Sequence, residues 1–482
     1  MKRLLLLLAA SFGGIFPCKS QNESAFRKID EEVSKNSKVY ESLQNAVKTV
    51  GHRLTGSANG SHAEEYAFNL FKSFGFKDVR YQAFEVEAWS RDTVSLSIAP
   101  RASDNYREVP VTALAFSPVS AQVKGEIVDA GNGLAEDFEA LKDKISGKVA
   151  LVNLHLAGAP GKTNIHRSEK TALAIRYGAM AIIFINSAPG ETLLTGTASI
   201  SGALISIPAV CISSHSGKEL RAWAETEKPL VAEIDMQNTS RKTQARNVIA
   251  TLKGKSKEKI VIGGHLDSWD LATGAIDNGI GSFSVLDIAR TFQKLKIKPE
   301  KTIEFVLFMG EEQGLLGSRH YVREAIRRNQ LQEIGYMINL DMTNNANGTI
   351  SYGRPETESF FKNIGEQAAR FDTTYKNTIN NSAGLHSDHQ PFMLNGIPVL
   401  AFAGSLPPKV SYCYHADCDN FDLVNRTEVE KTVRIVSMYL YALASSRQLP
   451  AQRLSSTEVR DLMIQQHLKE PLILGNDWQW DQ

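Results

Sequence analysis

Cysteine is scarce, with four residues in a chain of 482, so no disulfide framework stands in for a hydrophobic core. An excess of either charge is also missing. Lys and Arg number 54 against 53 Asp and Glu, so no overall field draws the chain to nucleic acid or to an anionic membrane. Beyond the first sixteen residues no run approaches the ~18 apolar residues of a membrane helix, so no membrane span is expected. Internal repeats and low-complexity tracts are absent, and 42% hydrophobic residues with 34 Gly and 16 Pro make an ordinary globular composition. The length suits about two or three domains.

The one extended apolar run follows Lys2-Arg3 and spans Leu4 to Phe16, before Pro17-Cys18-Lys19-Ser20. A charged start and a short apolar core at the extreme terminus read as a secretory signal peptide over residues 1–20, rather than as a buried first helix. The mature protein is then extracytoplasmic, secreted or periplasmic. Cys18 is a candidate for a lipid anchor, although Phe16 and Pro17 stand where small residues belong before such a cysteine.

Residues 21–108 read as helix, loop, helix and strand, with Val47 to Gly56 interrupting the helical pattern and Phe84 to Leu96 alternating as strands do. Over 109–244 the texture becomes short β-type runs separated by Gly, Pro and Ser, with one helical stretch at Glu169 to Tyr177. This is a compact β-rich module, inserted in a larger domain if its ends meet at the surface. Over 245–447 strands and helices alternate, which predicts an α/β fold with a mostly parallel sheet flanked by helices. Residues 448–482 form a tail, helical to about His467 and irregular beyond. Trp478 and Trp480 are expected to pack it on the body or on a partner subunit, as in a homodimer.

Polar groups collect where strands end. His265 and Asp267 follow Ile260-Val261-Ile262, Glu311-Glu312 follows Ile303 to Met309, and Asp341 follows Tyr336 to Leu340. Asp277 lies in a Gly-rich turn and His415 follows Ser411 to Tyr414. Each group has a plain alternative: a core histidine held by a carboxylate, or a solvated helix start at Glu311-Glu312. In parallel neighbouring strands, however, all of them converge on one rim. Uncompensated carboxylates gathered there would repel, and desolvating them without cations is costly. A pair of divalent metals resolves the conflict, and mixed nitrogen and oxygen donors favour zinc over calcium.

GHLDSWD at 264–270, GAIDNGIG at 274–281, EEQGLLGS at 311–318, NLDM at 339–342 and YHADCDNFD at 414–422 together resemble the co-catalytic dizinc aminopeptidase-like metallopeptidases. Within that family the chain is similar to the plasma glutamate carboxypeptidase (carboxypeptidase Q) group. The module carrying GKVALVN at 147–153, GAMAIIFIN at 178–186 and IPAVCIS at 207–213 resembles a protease-associated domain. The resemblance implies two Zn2+, one held by His265, Asp277 and Asp341, the other by Asp277, Glu312 and His415, with Asp277 bridging. It also implies Glu311 as general acid/base and Asp267 as the group orienting His265. Asn278, where an acidic residue is common, and the His415-Ala416 opening of the last motif depart from the family pattern and bear on specificity.

Glu311 alone, with an ordinary pKa of about 4.3, could not deprotonate water of pKa about 15.7, but coordination brings bound water to about 7. His389, in the stretch Gly384 to Phe392, is the best substrate-contacting candidate outside the ligands, weighed against a packed or surface histidine. Cys413 and Cys418 flank His415 and form a short disulfide, remain thiols, or join a Cys-x-His-x-x-Cys zinc site; Cys211 reads as structural. The expectation is a secreted exopeptidase acting on dipeptides or short peptides. Alternatives are an aminopeptidase on longer peptides, a one-zinc glutaminyl cyclase, and a binding ectodomain without catalysis.

Overall fold

The computed structural model describes residues 19–227 and 229–480. The apolar run expected to direct export, and Cys18, lie outside these residues. Among the described residues no helix is long and apolar enough to cross a membrane.

The sheet that carries the carboxylates has a parallel centre. In spatial order, Val399–Ala403, Ile334–Asn339, Ser256–His265 and Lys301–Phe308 run parallel to one another. Ile260, Val261 and Ile262 are fully buried, as a strand covered on both faces requires. Helices Ile280–Lys294 and Arg426–Ser445 pack on one face, sharing a core with Ile262, Phe305 and Ile338. Helix Leu316–Arg327 and the tail helix Ser456–Gln465 pack on the other, against Val261, Val306 and Met337. The expected α/β architecture flanked by helices is what the chain adopts, but the sheet is mixed: beyond its parallel centre, Leu230–Leu252 pairs antiparallel with Lys301–Phe308 and Gly348–Ile350 antiparallel with Val399–Ala403.

The inserted β-rich domain is tied to this sheet by a ribbon. Strands Asp78–Pro100 and Leu230–Leu252, 23 residues each, pair antiparallel along their length with one irregularity between Arg91 and Thr93. At one end Phe84, Val86 and Val248 belong to the peptidase-side core. At the other, Trp89, Leu96, Ile98 and Ile234 belong to the inserted domain. Leu230–Leu252 passes through residue 244 without a break, so the two units share a strand there. Within the insert, Ser120–Asp129, Val149–Asn153, Ala181–Ile185 and Ala209–Ile212 form successive parallel pairs.

Local structure departs from expectation at both ends. The N-terminal helical pattern is three helices, Lys19–Asn36, Val39–Thr49 and Ala58–Ser73, the last capped by Ser57 accepting the Gly60 N–H. The tail, expected to be irregular beyond His467, forms a further helix, Lys469–Leu474. Its Pro471 sits in the first turn, where a missing N–H costs nothing. Trp478 and Trp480 pack on the body, beside the cluster of Phe392, Val459 and Met463.

Candidate metal centre and substrate cavity

Three of the parallel strands deliver their carboxyl ends to one rim. His265 is the last residue of its strand, Glu311-Glu312 follows Phe308 by a short turn, and Asp341 lies two residues past Asn339. The strand of His265 stands between its two sequence successors, and the helices that follow it and Lys301–Phe308 cover opposite faces. Chain segments part there, which opens a crevice. Gly264 permits the approach, since a Cβ at that position would lie 2.2 Å from the Leu340 carbonyl oxygen. Gly310, with φ of +77°, makes the turn that brings Glu311 to the rim.

Asp277 is at the centre. His265 Nε2 lies 3.3 Å from its Oδ1 and 3.4 Å from Asp341 Oδ1, with Glu311 Oε2 at 3.9 Å. His415 Nε2 lies 3.0 Å from Asp277 Oδ2 and 3.0 Å from Glu312 Oε2. The structure therefore gathers His265, Asp277, Glu312, Asp341, His415 and Glu311 in one place. Two groups, His265 with Glu311 and Asp341, and His265 with Asp277 and Glu312, each offer donor atoms within 4.8 Å of one another.

The electrostatics fit a cation. Burial pushes the Glu311 carboxyl well above the usual range, helped by Asp341 and Glu312, and raises Glu312 as well. Against the cost of burial, hydrogen bonds from His265 and His415 hold Asp277 below its ordinary value. Burial opposes charging of His265, yet Glu311 and Asp341 raise it well above 6.5. Imidazole protons thus compensate the carboxylates, and a divalent ion would replace those protons on binding. Glu312 Oε1 is buried with no hydrogen-bond partner, an open donor that a metal would satisfy. Two imidazoles with several carboxylates form a nitrogen and oxygen donor set suited to a transition ion.

Several supporting residues had escaped the sequence reading. Arg53, buried in the loop between two helices, donates from Nε to Leu266 O at 2.5 Å and from its two terminal nitrogens to Thr273 O at 2.7 Å and Gly274 O at 2.8 Å. It ties together the loops carrying Asp267 and Asp277. Asp419 accepts the N–H groups of Ile276 and Asp277 at 2.7 and 3.0 Å, and Ser387 donates to Asp341 Oδ2 at 2.6 Å. Asp267 is placed differently from a simple histidine partner. Its main-chain oxygen lies 3.1 Å from His265 Nδ1 and its carboxylate 3.6 Å, while the carboxylate oxygens accept the Glu311 and Glu312 N–H groups at 3.3 Å. Cys413 and Cys418 are joined in a disulfide around His415, and Cys211 is a buried free thiol.

A cavity of about 440 Å³ lies over this centre. The inserted domain contributes His166, Arg167 and Glu169 to its wall, and the peptidase side contributes Tyr352, His386 and His389. Arg167 is 6% exposed, its Nη2 is 3.0 Å from His415 Nδ1, and its Nε has no partner. His389 lies beside the Tyr352 ring with Nε2 3.0 Å from Gly384 O. Burial pushes it down to about 4, so it faces the cavity as a neutral ring.

Residues 247–440 match the model of peptidase family M28, and residues 123–220 match the PA domain. The chain is 26% identical over 433 residues to aminopeptidase YwaD of Bacillus subtilis (strain 168), covering 85% of each. It is 26% identical over 344 residues to carboxypeptidase Q of Mus musculus, covering 65% of this chain and 71% of that protein. In fold it is similar to a peptidase M28 precursor from Shewanella amazonensis SB2B, with a TM-score of 0.76 and 24% identity over 91% of this chain and all of that one. The strand-end carboxylates and the inserted domain have a common explanation: the chain carries a peptidase family M28 region over residues 247–440 and a PA domain over residues 123–220, and is a metallopeptidase.

Proposed function

We propose that this metallopeptidase is a two-zinc exopeptidase hydrolysing dipeptides or short peptides outside the cytoplasm. The observation that carries the two-metal reading is that His265 and His415 approach different oxygens of one carboxylate, at 3.3 Å from Asp277 Oδ1 and 3.0 Å from Oδ2. In this reading His265, Asp277 and Asp341 hold one zinc, and Asp277, Glu312 and His415 hold the other. When bound, the pair lowers the pKa of a nearby water from about 15.7 towards about 7 and polarises the scissile carbonyl.

The remaining work falls to the chain. Glu311, at the floor of the cavity, takes the water's proton on its carboxylate and passes it to the leaving amine. Asp267 fixes the turn that presents Glu311 by accepting the N–H groups of both glutamates. His389 and Tyr352 form an uncharged wall for the substrate. Arg167 is the buried cation of the cavity, and a dipeptide with its carbonyl at the centre has a free carboxylate one residue away. That favours substrates with an unblocked carboxyl end. The Cys413–Cys418 disulfide and the charged, apolar N-terminus support an oxidising, extracytoplasmic setting.

The test combines metal analysis with hydrolysis of free, acetylated and amidated dipeptides. Two zincs per chain and chelator-sensitive cleavage of free dipeptides are expected. A protein that holds no metal, or that leaves every free dipeptide intact, overturns the proposal.

A further inference from the structure

The PA domain meets the peptidase domain on the segment that carries His415. Leu194 forms an isolated antiparallel bridge with Ala416, which lays Thr195 alongside His415. The Thr195 N–H donates to the His415 carbonyl oxygen at 3.0 Å, and the Thr195 carbonyl oxygen lies 3.3 Å from His415 Nδ1. Tyr414 stacks on the His415 ring with centroids 3.8 Å apart and packs into the PA-domain core with Phe184 and Leu194.

Thr195 is itself held. Arg91, in the shared ribbon, donates from Nη2 to Thr195 Oγ1 and to Asp270 Oδ1, each at 2.8 Å, and from Nη1 to Thr112 Oγ1 at 3.0 Å. The Thr195 hydroxyl donates to Ala113 O at 3.3 Å. One guanidinium thus joins the PA domain to the loop that follows Asp267.

A histidine that coordinates through one nitrogen keeps its hydrogen on the other, and the acceptor of that hydrogen sets tautomer and ring direction. His415 Nε2 faces Asp277 and Glu312, so the hydrogen belongs on Nδ1. Two groups stand near Nδ1. The Arg167 guanidinium is a donor and cannot accept it; the Thr195 carbonyl can. His415 also has φ of +55°, a left-handed conformation that a non-glycine residue keeps only when its surroundings hold it. The Thr195 N–H on its carbonyl supplies such a hold.

We propose that the PA domain is a built-in part of the metal centre, with Thr195, fixed by Arg91, as a positioning residue for His415. The inference rests on the reading of His415 as a metal ligand. The insert then supplies more than a wall for the substrate: one of the two metal positions depends on it.

The test uses the full chain as wild type, Thr195→Val, Thr195→Ser, Arg91→Met and His415→Ala. Zinc content, chelator-competition titration and the visible spectrum of the cobalt-substituted protein are read alongside melting temperature and kinetics. Thr195→Val and Arg91→Met are expected to weaken one of two zincs about 10- to 100-fold, alter the cobalt spectrum and lower kcat more than they raise KM. Thr195→Ser, which keeps the hydroxyl, restores wild-type behaviour. Wild-type affinity for both zincs in Thr195→Val and Arg91→Met overturns the proposal, as does equal weakening of both zincs in step with melting temperature. Retention of two zincs in His415→Ala instead overturns the ligand reading beneath it.

Discussion

Trp269 donates its indole N–H to Glu312 Oε2 at 2.7 Å, while the other oxygen of Glu312 is buried without a partner. One oxygen is thereby fixed and the other left for a cation. Trp269 is 4% exposed, so a phenylalanine in its place keeps much of the packing and removes only the donor. Trp269→Phe is expected to weaken one zinc by about 10- to 100-fold and leave the other in place. Stepwise chelator titration followed by metal analysis measures this, and unchanged affinity would show that the indole only packs.

Glu311 has the opposite standing, close to the ligands yet assigned to proton transfer. Burial, with Asp341 and Glu312 nearby, pushes its carboxyl well above the usual range, as a group that must hold and release a proton requires. Glu311→Gln keeps shape and removes the titration. We expect kcat to fall by roughly 10²- to 10⁴-fold with two zincs retained per chain. Normal turnover in this variant refutes the assignment, and loss of one zinc would make Glu311 a ligand.

These residues were legible in the sequence to different depths. The parallel sheet could be read because Ile260-Val261-Ile262 and Ile303 to Met309 are uninterrupted apolar runs between helical segments, and the groups just past them had to share a rim. Arg53 and Asp419 could not. Both act through main-chain groups, Leu266 O, Thr273 O and Gly274 O for one, Ile276 and Asp277 N–H for the other. Main-chain donors and acceptors exist at every position and leave no trace in residue identity. Arg167 lies in the insert, far along the chain from the metal motifs, and only tertiary contacts such as the shared ribbon and the Leu194–Ala416 bridge bring it to the cavity. The helix Lys469–Leu474 was missed because six residues with a proline give too little periodicity to detect.

Glu169 presents a pH dependence whose sign follows from burial. It is 1% exposed, Oε2 accepts the His166 N–H at 2.7 Å, and Oε1 has no hydrogen-bond partner, with His386 Nε2, itself pushed down to about 4 by burial, at 3.6 Å. Burial pushes its carboxyl up to about 7 from an ordinary 4.5. The folded chain thus holds a proton that the unfolded chain has lost, so this contribution is full below pH 4.5 and is lost as pH rises through about 7. Glutamine mimics the protonated form at every pH. Glu169→Gln should match wild type near pH 4 and exceed it by about 1–3 kcal/mol at pH 8. Urea melts of both proteins across that range decide the matter; a constant difference at all pH values would contradict the buried-carboxyl account.

In the proposed reading, Arg167 is the residue that selects substrates with a free carboxyl end. Its guanidinium is buried with a free Nε–H beside His415, and an unpaired buried cation is costly until an anion reaches it. Of the cavity's carboxyls, Asp277, Glu311, Glu312 and Asp341 belong to the proposed metal centre, Asp477 pairs with Arg319, and burial pushes Glu169 up to about 7; a terminal carboxylate is the anion that every free dipeptide offers. A hydrogen bond to a charged partner contributes about 1.5–3 kcal/mol, which corresponds to about 10- to 150-fold in kcat/KM. Arg167→Met should lose that factor on free dipeptides and change little on the corresponding dipeptide amides, so that the preference between them collapses. Equal losses on both substrates would mean that Arg167 serves the His415 side of the metal centre instead, and the carboxyl end of the peptide would then be read elsewhere.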